Sequence, residues 1–113
     1  MAAPIIDAAT FAELQASAGE DFVGELIDTF FEEAPTMLAE LRRAAAAAEA
    51  EAFRRAAHSL KSNANTFGAL ALGALARELE LGGLDSAKAA DALARLDEEY
   101  RRAAAALAEL RGG

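Results

Sequence analysis

The sequence predicts an all-α fold: an antiparallel up-down four-helix bundle with a short additional helix at its N-terminus. Glycine and proline are few and fall at joints, namely Pro4, Gly19, Pro35, Gly68, the Gly82-Gly83 pair and the terminal Gly112-Gly113. Between the joints apolar residues return with helical period, and no stretch shows a strand-like alternation rich in Val, Ile and Thr. The chain of 113 residues is long enough for one core and too short for two, so residues 1–113 are expected to form a single domain.

Asp7 or Thr10 is suited to cap a first helix that ends near Ser17 and is closed by Gly19. A long second helix should run from about Glu20 to Ala48, with Val23, Leu26, Ile27, Phe30, Ala34, Met37 and Leu41 on one face. Pro35 interrupts it, and the missing hydrogen bond predicts a kink there or a break into two helices. The run "AAAAAEAEA" reads as a solvated helix end and a tight turn, since Ala and Glu are strong helix formers. A third helix follows from about Glu51 to Thr66 and a fourth from about Ala69 to Leu81. Gly24 and Gly73 fall inside helical patterns, where each is tolerated at a cost of ~1 kcal/mol relative to Ala. In "GGLDS", Asp85 or Ser86 is expected to cap the last helix. There Leu93, Leu96, Tyr100, Ala103, Leu107 and Leu110 alternate at spacings of three and four, the seam of an antiparallel bundle.

Composition removes several functional classes. There is no cysteine and only one histidine, so neither a disulfide nor an ordinary zinc site is expected. The formal net charge of -8 argues against nucleic acid, whose phosphates would be repelled. The start "MAAPIIDAATFAEL" lacks a basic region and carries Asp7 and Glu13, unlike a secretory signal. No apolar run reaches the roughly 18 residues of a membrane span, so a cytoplasmic protein without a membrane partner is expected.

The lone histidine stands in "AAHSLKSNANTFGA", with one of the two lysines three residues after it. At about 100° per residue, Phe53, Ala57, Leu60, Ala64 and Phe67 cluster within roughly 40° and define the core direction. His58 lies roughly 140° from that direction and cannot be a packing residue. Asn65 falls within roughly 20° of His58, Ser62 within about 40°, and Lys61 about 60° away on the flank nearer the core. The strip is therefore polar and exposed, with an imidazole at its centre and an ammonium beside it. Hydrolytic chemistry finds no support, because Ser59 is adjacent in sequence and points elsewhere on the helix. The residues alone leave two readings open: an ordinary surface histidine on a helical adaptor, or a reactive one on a docking face.

The segment "HSLKSNANTFGA" resembles the signature of histidine phosphotransfer (HPt) domains, with His58, Leu60, Lys61 and Gly68 matching position for position. Its "TFGA" ending is similar to the phosphotransfer domain of chemotaxis histidine kinases. The flanking "ELIDTFFEEAPTMLAELRRA" and "LARELE" fit the family's neighbouring helices. Ser62 stands where the family most often has Gly, and Asn63, Asn65 and Thr66 make the strip more polar than usual.

The resemblance implies a phosphorelay intermediate, a phosphocarrier without catalytic machinery of its own. His58 would accept a phosphoryl group from a receiver-domain aspartate of a hybrid histidine kinase and pass it to the receiver domain of a response regulator. Lys61 would offset the phosphoryl charge. Ser62, Asn65 and Gly68 would meet the docking partner, with Gly68 allowing close approach. Glu80 falls where chemotaxis relatives place a glutamate that orients the imidazole, and Arg77 replaces a histidine those relatives carry three residues earlier. No cofactor of its own is implied, since the Mg²⁺ is expected on the receiver. An exposed acceptor on a compact chain beginning at Met1 is expected of a free-standing monomer. One of Phe22 and Phe31, on opposite flanks of the second helix's core stripe, is expected to stay exposed as part of the docking face.

Overall fold

Asp7 starts the first helix, α1 (Ala8–Ala18). Its carboxylate accepts from the Thr10 N–H at 3.0 Å and from the Thr10 hydroxyl at 2.6 Å, so Asp7 is the cap and Thr10 the donor. Those bonds hold the Asp7 carboxyl below its ordinary value. The structure is a computed structural model and describes residues 5–87 and 90–112. Pro4 and Gly113 lie outside the described residues.

The second helix, α2 (Glu20–Ala47), runs through Pro35 as one element, so of the two expected outcomes the break into two helices does not occur. The cause is energetic. An interior proline costs about 3 kcal/mol, whereas burying each large side chain on this face gains about 1.5–3 kcal/mol. Val23, Ile27, Phe30 and Leu41 are all buried, so continuity of the buried face wins. Pro35 itself is exposed, where water can reach the carbonyl that loses its partner.

Ala48 closes α2 in the left-handed conformation at φ 56°, and the Glu49 N–H donates to the Ala44 carbonyl at 2.9 Å. The chain thus reverses within two residues into α3 (Ala50–Phe67). Gly68 and Ala69 make an equally short joint to α4 (Leu70–Gly82). A single turn of helix, α5 (Leu84–Ala87), precedes α6 (Ala90–Arg111). Asp85 and Ser86, the expected caps of the last helix, both fall within α5, and residues 88–89 between it and α6 lie outside the described residues.

These short joints force neighbouring helices antiparallel. α2 packs on α3, α3 on α4, α4 on α6 and α6 on α2, with α1 lying across α2 and α3. One core joins them, and the Phe30 ring meets Phe67 at 5.2 Å and Tyr100 at 5.8 Å. Leu96, Ala103 and Leu107 of the predicted seam are buried, and Leu93 and Tyr100 pack partly buried against them. Leu110 departs from the prediction at 50% exposure, because it lies in the last turn of α6. Beside it Arg111 reaches across to the Gly24 carbonyl at 3.2 Å and Asp28 at 2.6 Å. Arg42 pairs with Asp97 toward the opposite end of α6.

Candidate functional site

Phe53, Ala57, Leu60, Ala64 and Phe67 are all buried, which fixes the rotation of α3. His58 is thereby turned outward, its side chain 55% exposed. The two-residue joint after α3 brings α4 back alongside it and sets Glu80 at the level of His58. Glu80 is largely covered, at 13% exposure, and it touches an imidazole and an ammonium at once. Its Oε2 lies 2.8 Å from His58 Nδ1 and its Oε1 lies 2.8 Å from Lys61 Nζ. The Lys61 contact is an ion pair outside hydrogen-bond angles, since Oε1 is shielded from solvent and has no aligned donor.

The Lys61 ammonium, and after it the His58 ring, hold the Glu80 carboxyl below its ordinary value. An ionised carboxylate only accepts hydrogen bonds, so Nδ1 must be the donor to Glu80. In the neutral ring the lone pair then sits on Nε2.

Ser62 and Asn65 are exposed on the same strip. Asn63 and Thr66 instead bond back to their own helix, to the carbonyls of Ser59 at 2.8 Å and Ser62 at 2.9 Å. Asn65 leans over Gly73 of α4, where an added Cβ would run into Asn65 Oδ1. Gly73 is thus a site residue that sequence reasoning noted only as a tolerated helix glycine. Its cost inside a helix was the available signal.

Gly68 corrects an expectation. It is buried, not on the partner-facing edge. Its φ is +85°, its carbonyl accepts from the Asp7 N–H at 2.8 Å, and an added Cβ would meet the Asp7 carbonyl oxygen at 2.9 Å. Its small size makes room for this chain's own N-terminal segment. Lys61, expected beside the imidazole, is engaged by Glu80. Arg77 is exposed and lines the groove between α4 and α6. On α2, Phe31 packs partly buried against the core, while Phe22 remains 45% exposed.

Among the described residues, no group of three or more His, Asp or Glu side chains is arranged to hold a metal ion. Among the same residues no helix is long and apolar enough to cross a membrane. The arrangement offers an exposed ring nitrogen, fixed by a carboxylate, on the outward face of α3. Such a group can attack an electrophile carried by a partner.

The whole chain has a counterpart among solved structures. The crystal structure of histidine-containing phosphotransfer protein B (HptB) from Pseudomonas aeruginosa PAO1 superposes with a TM-score of 0.86 at 28% sequence identity. The match covers 97% of this chain and 96% of that one. No curated protein matches the sequence. The family model of the Hpt domain matches residues 25–106, from the first turns of α2 almost to the end of α6. The chain belongs to the Hpt domain family.

Proposed function

We propose that this protein accepts a phosphoryl group on Nε2 of His58 from the aspartyl phosphate of a hybrid kinase's receiver domain and delivers it to the receiver of a response regulator. Family membership carries the general activity, histidine phosphotransfer in a phosphorelay, by a carrier that works with receiver domains. The observation that carries the residue assignment is the hydrogen bond between His58 Nδ1 and Glu80, 2.8 Å long, on an otherwise exposed ring.

In the step itself the Nε2 lone pair forms a P–N bond as the bond from phosphorus to the aspartyl oxygen breaks. The carboxylate leaves with the bonding electrons. The Nδ1 proton stays on the ring, and the positive charge that develops there is offset by Glu80. Return transfer reverses each event, and the retained proton lets a neutral imidazole leave. The receiver contributes Mg²⁺ and its carboxylate cluster, while this chain contributes a positioned nucleophile. Ser62, Asn65 and the exposed Phe22 supply polar and apolar parts of the docking surface.

The test is incubation with a phosphorylated receiver domain, followed by assay for acid-labile, base-stable phosphate. His58→Gln is expected to abolish acceptance and leave the melting temperature nearly unchanged, because the ring has no packing duty. A His58→Gln protein that still takes the label would overturn the assignment.

A further inference from the structure

Lys61, the cation nearest His58 on the C-terminal side, is held by Glu80. The phosphoryl group proposed above would bring about two negative charges to a domain whose formal net charge is already -8. Another cation is needed, and the neighbouring arginines differ in their commitments. Arg42 pairs with Asp97, Arg43 with Glu40 and Glu49, and Arg54 with Glu51. Arg55 is exposed and, among the described residues, makes no hydrogen bond or ion pair. It is the one arginine of the α2–α3 hairpin left in that state.

Direction separates Arg55 from Arg54. Glu80 approaches from α4 and holds the Nδ1 edge of the ring on that flank. Arg54 lies on the same flank, and the Glu80 charge acts on it. The Nε2 edge is turned the other way, toward the outward face that Arg55 shares about 60° from His58 on the helical wheel. Arg55 borders the groove between α2 and α3, and its charge is felt by Glu40 and Glu51 rather than by Glu80. A helical side chain also leans over the turn that precedes it, which places the His58 ring over the turn of Arg54 and Arg55. Ser62, one turn later, is on the far side of that lean.

We infer that Arg55 is the residue that holds the phosphoryl oxygens on phosphorylated His58, while Lys61 serves to fix Glu80. A guanidinium matches two phosphoryl oxygens at once, which an ammonium does not. The inference rests on His58 being the acceptor, so its test must not depend on a partner protein.

Phosphoramidate, a small phosphoryl donor, is used to load the full chain. The phosphohistidine ³¹P resonance is then followed against pH in the parent and in Arg55→Gln, Arg55→Lys and Lys61→Ala. Arg55→Gln is expected to raise the second ionisation of the phosphoryl group by about one unit. Arg55→Lys should recover part of that shift, and Lys61→Ala should move the ionisation less than Arg55→Gln does. A loaded His58 whose ionisation is the same in parent and Arg55→Gln, or follows Lys61 instead, overturns this inference and leaves the acceptor assignment standing. A chain in which His58 takes no phosphoryl group overturns the acceptor assignment, and this inference with it.

Discussion

The Glu80 carboxylate lies 2.8 Å from Nδ1 of His58, across 22 positions of sequence and between two antiparallel helices. A ring gripped at one nitrogen presents the other in a fixed direction, and positional precision of this kind carries a large share of a rate. Glu80→Ala is expected to slow phosphoryl acceptance by roughly ten- to a hundredfold. Glu80→Gln should slow it less, because an amide oxygen still accepts from Nδ1–H. Single-turnover transfer from a phosphorylated receiver measures both, and equal rates in Glu80→Ala and parent would remove Glu80 from the site.

The same carboxylate makes a prediction about acid. The Glu80 carboxyl is held below its ordinary value of 4.5, chiefly by Lys61. A depressed carboxyl contributes stability that is fully present above the unfolded-state value and is lost as pH falls through the folded-state value. Asp7, Glu40, Glu49 and Glu51 are depressed as well and titrate in the same window. The informative quantity is therefore the difference in unfolding free energy between parent and Glu80→Gln. That difference should shrink as pH falls below the ordinary carboxylate range. A difference that grows as pH falls below that range would contradict the sign.

Gly68→Leu tests the relocation of that glycine. A left-handed backbone at φ +85° disfavours any side chain, and the new Cβ would meet the Asp7 backbone at 2.9 Å. Loss of at least about 2 kcal/mol of stability is expected, together with loosening of α1 from the end of α3. Below its lowered melting temperature the variant should still bind a receiver. Weakened binding at undiminished stability would return Gly68 to the docking face.

Gly73→Ala should act in the opposite sense. The clash is with the end of an exposed and movable Asn65 side chain, and replacing a helical glycine gains about 0.5–1 kcal/mol. The variant should therefore melt no lower than the parent while its displaced Asn65 alters receiver affinity. In an Asn65→Ala background the affinity change should vanish. A drop in melting temperature would show that Asn65 cannot move aside.

The sequence makes the longer helices, a cap at Asp7 or Thr10 and the outward direction of His58 legible, because each depends on periodicity or chemistry within one segment. The face of Phe53, Ala57, Leu60, Ala64 and Phe67 leaves His58 no inward rotation. The pairing of Glu80 with His58 and Lys61 is different in kind. It depends on the register between α3 and α4, which a single-helix wheel does not contain, and only family resemblance pointed to Glu80. Gly68 was misplaced for a related reason. It stands beyond the last helical residue of α3, where the wheel no longer applies, and its neighbour is Asp7, sixty-one positions away. At Pro35 the local hydrogen-bond loss does not divide α2, because the buried face extends along the helix on both sides of it.

The two-residue joint at Gly68-Ala69 also governs when the site can exist. The entropy of closing a chain segment rises with its length, so nearby partners meet first. His58 and Glu80 close a span of 22 positions, Arg42 and Asp97 one of 55, and Arg111 and Asp28 one of 83. Everything that grips the imidazole belongs to α3 and α4, whereas the long spans attach α6. On a ribosome, the hairpin bearing the nucleophile and its glutamate emerges before the helix that completes the bundle. The reactive centre is thus among the earliest parts of the chain able to assemble.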